Sequence, residues 1–414
     1  MEHDCTRFEG AYRSGDPLVH DTTIRAVVSQ IDLSLDVPGS PGLERFDARR
    51  QLDNRGFAAA GVFSSRGDYL FVATRGSRSV ERIDFLEDIQ SGSVVNLGLT
   101  PQGLALSPDD RVLYVDAYMS RELVIYDTQA FTDPGEPLAR LQIPSAEPLS
   151  ETLLRGKQLF NDSFDTRLSK DGYMACAHCH LEGDSDLIVW DFTDRGEGLR
   201  NTISMIGRAG MGDGPVHWSA NFDEIQDFEN DIRGPFGGLG LLADEDWSAG
   251  TRSHPLGDPK AGLSEDLDAL AAYVASLTSP LRSPYREQDG ALTASASNGK
   301  TLFESPALGC VDCHAGPRLT DSGFIDEDPL LHDVGTLGPA SGQRLGEPLT
   351  GLDTPTLHGV WHSAPYLHDG SAPTLYDVLV SENPEAQHGD LGGLGDDAIA
   401  DLIEYLKSLD GDSA

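Results

Sequence analysis

Residues 176–180 read Cys-Ala-His-Cys-His, and residues 310–314 read Cys-Val-Asp-Cys-His. Cys-x-x-Cys-His is the attachment motif of c-type haem. The two thiols add across the porphyrin vinyl groups, and two intervening residues set both sulfurs along one porphyrin edge. The histidine that follows is then carried beneath the iron as proximal ligand. A bare Cys-x-x-Cys also serves dithiol chemistry or half of a zinc site. Here both copies carry the adjacent histidine, and each follows a Gly-Lys-x-Leu-Phe segment, at 156–160 and 299–303. The sequence therefore predicts two covalent haems. Cys176, Cys179 and His180 hold the first, and Cys310, Cys313 and His314 the second, with His180 and His314 on the irons.

The motifs belong to a longer internal repeat in four pieces. Before each lies a short amphipathic helix, Arg155–Phe160 against Asn298–Phe303. After each comes a turn-rich segment, Asn201–Gly207 against Asp353–Gly359. A closing helix follows, Leu267–Leu277 against Ala400–Leu409, with apolar residues at helical spacing. Four pieces in the same order predict two mainly α cytochrome c domains in tandem, at 150–282 and 290–411.

Ahead of them, residues 1–145 read as all-β, with short alternating runs between Gly, Asp, Ser and Pro turns. Val62–Val72 superposes on Ala105–Val115 at a shift of 43, and the match continues through Ser77/Ser120, Arg78/Arg121 and Asp84/Asp127. A weaker copy ends at Gln30-Ile31-Asp32. A period near 43 with several strands per unit is a β-propeller signature. A closed propeller needs roughly four to eight blades, so this is an incomplete one; a small β-sandwich is the competing reading. A Pro-rich joint, 133–148, leads into the helical part. The fold class is thus multidomain, with incomplete propeller blades followed by two cytochrome c domains.

Composition narrows the partners. Sixty-eight acidic residues stand against 30 basic ones, a formal net charge of −38. Such a surface repels nucleic acid and suits a basic redox partner, such as a small cytochrome or cupredoxin. No apolar run is long enough to span a membrane. Four of the five cysteines lie in the haem motifs, and Cys5 reads as a bystander. MEHDCTRFEG shows no basic or apolar signal region. Bacterial c-type haem attachment happens outside the cytoplasm, so a periplasmic location with upstream sequence missing is expected.

The sixth iron position separates electron transfer from peroxide chemistry. No methionine lies beyond Met211, so the second haem lacks a Met in its own domain, and Met205 or Met211 would have to cross over. Candidates are His332, His358, His362, His368 and His388, or Glu382. His388, before Gly389 in a loop just ahead of the last helix, ranks first. Near the first haem, His217 is a candidate ligand or distal base, and Trp218 a candidate electron bridge. Each also reads as a structural residue.

The β repeats resemble YVTN-type propeller repeats. Residues 150–411 resemble the bacterial dihaem cytochrome c peroxidases and MauG-type enzymes. The two haem motifs carry that resemblance, with Thr354-Pro355-Thr356-Leu357, Ala364-Pro365-Tyr366-Leu367-His368-Asp369-Gly370 and Thr374-Leu375. It implies a peroxide-reactive N-terminal haem fed with electrons through the C-terminal one. It implies that Trp218 is the inter-haem tryptophan, that Gln226 lies near the distal glutamine, and that the Ser363 and Pro365 carbonyls bind a calcium. Three features depart from the family. Glu382 stands where it has a Met or Tyr ligand. The catalytic glutamate has no clear match, Glu224 and Glu229 being the nearest carboxylates. The fused β region is extra. The expected activity is therefore a peroxidase-like oxidoreductase; the alternative is an electron carrier with both irons six-coordinate.

Overall fold

The computed structural model describes residues 2–3, 24–32, 43–45, 48–52, 54–131, 136–144, 146–326 and 328–411. Cys5 lies outside them. The chain forms two compact units, one including residues 17–178 and 231–241, the other 179–230 and 242–414.

In the first unit, alternation of apolar and polar residues builds two four-stranded antiparallel sheets. One takes β3 (Ala58–Phe63), β4 (Tyr69–Thr74), β5 (Ser79–Asp84) and β6 (Ile89–Val94). The other takes β7 (Pro101–Leu106), β8 (Val112–Ala117), β9 (Glu122–Asp127) and β10 (Ala139–Gln142). The first three strands of each sheet recur at the 43-residue shift. So do their hydrogen bonds. The Ser77 hydroxyl accepts the Gly56 N–H at 2.6 Å, and that of Ser120 the Leu99 N–H at 2.6 Å. Gly67 and Asp110 fill the same turn position with φ of 71° and 58°, a left-handed conformation open to glycine and tolerated by aspartate.

Strand β4 is buried on both faces. Phe71 and Ala73 pack towards the second sheet with Val80, Leu113, Val115 and Phe131. Leu70 and Val72 pack the other way, against Ala26 and Leu52. Those two come from a further pair, β1 (Ile24–Val28) and β2 (Arg50–Leu52). Each such side chain, fully buried, contributes about 1.5–3 kcal/mol. Helix α1 (Glu151–Asn161), N-capped by the Ser150 hydroxyl, belongs to this unit too.

The second unit is mainly helix and pinned loop. It contains the hairpin β11 (Val189–Phe192) and β12 (Gly198–Asn201), then α2 (Glu265–Ala275), α3 (Ala294–Phe303), α4 (Cys310–Cys313) and α5 (Asp396–Lys407). Ser264 and Thr293 cap α2 and α3 by accepting the backbone N–H three residues on. Helices α3 and α5 cross at Gly299, where a Cβ would stand 2.0 Å from the Asp401 carbonyl oxygen. Around the crossing pack Ala296, Phe303, Leu402, Tyr405, Leu406 and Leu409. The Asp401 carboxylate ties the helices by accepting from the Ser295 hydroxyl and from Asn298 Nδ2. Among the described residues, no helix is long and apolar enough to cross a membrane.

Candidate haem site

The crossing helices form one wall of a cavity inside the second unit. Phe303, Leu402 and Leu406 line it from the helices, and Cys310, Cys313 and His314 from α4 and its end. Both turn-rich segments line it too, through Asn201–Ser204 and Asp353–Gly359. Its empty space, open mouth included, is about 1640 Å³.

Cys310 and Cys313 are the first and last residues of α4, three apart and so on one side of a helical turn. His314 leaves the helix at φ −87°, ψ 65°. Its Nδ1 lies 3.1 Å from the Leu319 carbonyl and donates to it. That bond leaves Nε2 with a free lone pair, the form a metal-ligating histidine needs. Burial first, then the neighbouring His388, lowers the His314 imidazole to about 4, so it is neutral at ordinary pH. The thiols are not activated for exchange: burial raises both Cys310 and Cys313, and raises Cys176 to about 12.

His388 also lines the cavity. Its ring centroid is 6.3 Å from that of His314, with the planes 37° apart. Two metal–nitrogen bonds of about 2 Å, plus a ring radius on each side, add up to roughly 6 Å. The loop is held by Asn383, whose Oδ1 accepts the His388 N–H and whose Nδ2 donates to the carbonyls of His388 and Gly389. The two thiols, the His314 imidazole with its free Nε2 and the His388 ring 6.3 Å away fit a covalently attached porphyrin.

The other candidates separate. His332 lines the cavity with Nε2 2.8 Å from the Asp321 carboxylate, and His358 lines it with a buried, unpartnered Nε2. His362, outside the lining, sits 3.2 Å from Asp184. His368 is fully buried and bonded to the Ser341 hydroxyl at 2.7 Å. Glu382 ends a turn and does not line the cavity.

Trp218 lines the cavity; its indole N–H donates to the Asn201 carbonyl at 2.8 Å. His217 holds φ 71° and packs on Phe222 and Phe228. Its Nδ1 donates to Asn221 Oδ1 at 2.6 Å, which leaves the Nε2 lone pair free. His180 has a buried, unpartnered Nδ1, and burial, then His217, lowers it to about 4. Gln226 is committed elsewhere, its Nε2 donating to Asp268 at 2.8 Å. Glu224 accepts the backbone N–H groups of Lys260 and Ala261. Glu229 is fully buried and accepts the Leu242 N–H.

Ser363 and Pro365 both line the wall. Asn201 Nδ2 donates to the Pro365 carbonyl at 2.5 Å, while Asn201 Oδ1 is buried without a partner. Sequence reading missed three polar residues here: Asn201, Arg208 and Asp353. The repeat holds a signal for two of them, because it aligns Asn201 with Asp353 at the head of the turn-rich segments.

A haem-binding cytochrome c is the class that this cavity defines. A family model described as RoxA-like, cytochrome c-like matches residues 351–387. Hydrazine synthase subunit gamma of Kuenenia stuttgartiensis is 30% identical over 66% of this chain and 85% of its own length. Cytochrome-c peroxidase IdrP1 of Denitromonas iodatirespirans is 27% identical over 60% of this chain and 77% of its own. Methylamine utilization protein MauG of Methylophilus methylotrophus is 26% identical over 65% and 85%. The chain belongs to the dihaem cytochrome c peroxidase and MauG-like family.

Proposed function

We propose that this protein is a peroxidase-like dihaem oxidoreductase, with haem attached at Cys176–His180 and at Cys310–His314. The observation that carries the reading is the pair of imidazoles, His314 and His388, with ring centroids 6.3 Å apart on the lining of a cavity built from both turn-rich segments. Haem supplies one-electron redox chemistry and, where a coordination position is open, a place for peroxide.

The chain's own residues divide the work. His314 and His388 would hold the C-terminal haem, and imidazole ligation by both would suit electron transfer. His388 is favoured over Glu382 because only His388 lines the cavity. His217, fixed through Nδ1 by Asn221, keeps Nε2 free to take and return a proton during peroxide reduction. Trp218, anchored to Asn201, is the bridge for electrons. Gln226 and Glu224, held by bonds within the fold, position this segment rather than act on peroxide.

Calcium suits the wall beside Trp218. The Ser363 and Pro365 carbonyls and Asn201 Oδ1 are hard oxygen donors of the kind calcium takes. The unpartnered Asn201 Oδ1 supports this. Residues 1–145 would then be propeller blades, supported by the 43-residue recurrence of strands and bonds, and 150–282 and 290–411 tandem cytochrome c domains. The compartment is periplasmic or otherwise extracytoplasmic, where c-type haem is attached. The electron donor is a small cytochrome or cupredoxin with a basic face that suits the acidic chain.

The test is peroxide turnover by the haem-loaded protein with a reduced donor, alongside haem content per chain. Two haems and donor-dependent turnover that His217→Ala abolishes are expected. Two low-spin haems in both redox states without turnover would instead identify an electron carrier.

A further inference from the structure

The cavity wall carries a buried carboxylate that the scheme above does not use. Asp353 is 6% exposed. Its N–H donates to the Trp218 carbonyl at 2.8 Å, and Oδ2 accepts the Ser322 hydroxyl at 2.8 Å. Oδ1 is buried and has no partner.

Its charged neighbours are better matched. Asp213 is flanked by two guanidiniums, Arg318 at 3.0 Å and Arg208 at 3.9 Å. Asp321 is paired with His332 at 2.8 Å. His358 and Arg318 face Asp213. Asp353 has one hydroxyl and only the more distant field of Arg208. Removing a carboxylate from water without a compensating ion pair favours its neutral form. Burial first, with Asp321 and Asp213 adding to it against Ser322 and Arg208, pushes Asp353 up to about 7. Asp213 is raised too, by burial, but its guanidiniums oppose the rise.

We propose that Asp353 is the redox-linked proton acceptor of this cavity. It binds one solvent proton when the haem held by Cys310, Cys313 and His314 gains one electron from the donor. It releases that proton when the electron leaves. The extra negative charge is thereby cancelled inside a wall that water cannot screen. Each transfer conserves charge: one electron and one proton arrive, ferric iron becomes ferrous, and carboxylate becomes carboxylic acid. The inference rests on the haem placement proposed above and not on peroxide turnover.

The experiment is spectroelectrochemical titration of the C-terminal haem in the full holoprotein as a function of pH. Each tenfold fall in proton concentration should lower the midpoint by about 59 mV across the window between the oxidised- and reduced-state pKa values of Asp353. Asp353→Asn should flatten that slope, and Asp213→Asn should leave it. Ser322→Ala removes the bond that favours the carboxylate, so it should keep the slope and move the window to higher pH; this variant decides the matter if Asp353→Asn does not fold. A pH-independent midpoint in the wild type, an unchanged slope in Asp353→Asn, or an unmoved window in Ser322→Ala would overturn the proposal. Failure to bind a second haem would instead remove the haem placement itself.

Discussion

Gly299→Ala tests how the cavity wall is built. The added Cβ would stand 2.0 Å from the Asp401 carbonyl oxygen, 2.6 Å from its carbon and 2.8 Å from Tyr405 Cβ. Two of those three atoms are backbone, so no side chain can swing aside. Reaching ordinary contact means moving α5 off α3 by about 1.4 Å. A gap of about 0.5–1 Å already forfeits a quarter to a half of each dispersion contact, and Phe303, Leu402 and Leu406 all pack at this crossing. Overpacking of this kind costs about 1–3 kcal/mol, and a backbone obstacle places the substitution at the top of that range. Alanine's better helix propensity returns about 1 kcal/mol. The net loss is about 2 kcal/mol, or a melting point lower by about 4–8 °C. Gly393→Ala, with no atom within 4 Å of its Cβ, is the control and should change stability by less than about 0.5 kcal/mol. Thermal and urea denaturation of the two variants, with the haem absorption of the C-terminal site followed in parallel, is the assay. A Gly299→Ala protein as stable as the wild type would refute the close crossing.

Other outcomes follow from the same structure. The imidazole of His178, which is not an iron ligand, is lowered by burial to about 4 from an ordinary 6.5. A lowered histidine disfavours protonation in the folded state, so its stabilisation is complete above about 6.5 and is lost as pH falls towards 4; denaturation midpoints across that range should decline, and a flat profile would contradict the burial. Lys260 and Asp227 form an ion pair in which each side chain is 1% exposed or less. Lys260→Met should cost about 3–5 kcal/mol and the double change Lys260→Met with Asp227→Leu far less, measured by a denaturation cycle. Arg78→Ala should strand the buried Asp162 carboxylate and destabilise the β unit; full retention of stability would show that pair to be idle.

Much of this was legible in the residues. The 43-residue shift predicted strands and turns because it repeats hydroxyl acceptors, Ser77 with Ser120, and not merely apolar letters. The helices were legible from the spacing of their apolar residues, as in Leu267–Leu277, whereas the caps at Ser264 and Thr293 emerge only from the structure. His388 was singled out by its place before Gly389 in a loop just ahead of the last helix, and it lines the cavity, as do His332 and His358. The distal side was harder. Nothing local shows that Gln226 reaches Asp268 on α2, or that Glu224 is taken by backbone at 260–261. Those bonds join residues more than 30 apart, and pattern reading stops at the length of one element. Asn201, Arg208 and Asp353 were missed for the same reason: each is an ordinary polar residue until the two turn-rich segments are folded into one wall.

In the proposed site, His314 and His388 grip one porphyrin. Electron paramagnetic resonance of the oxidised holoprotein, wild type against His388→Ala, reads it directly. One low-spin signal should vanish in the variant, replaced by a high-spin signal, while the haem at Cys176–His180 is unchanged. A low-spin signal that survives the substitution would give the sixth position to another residue and contradict the account.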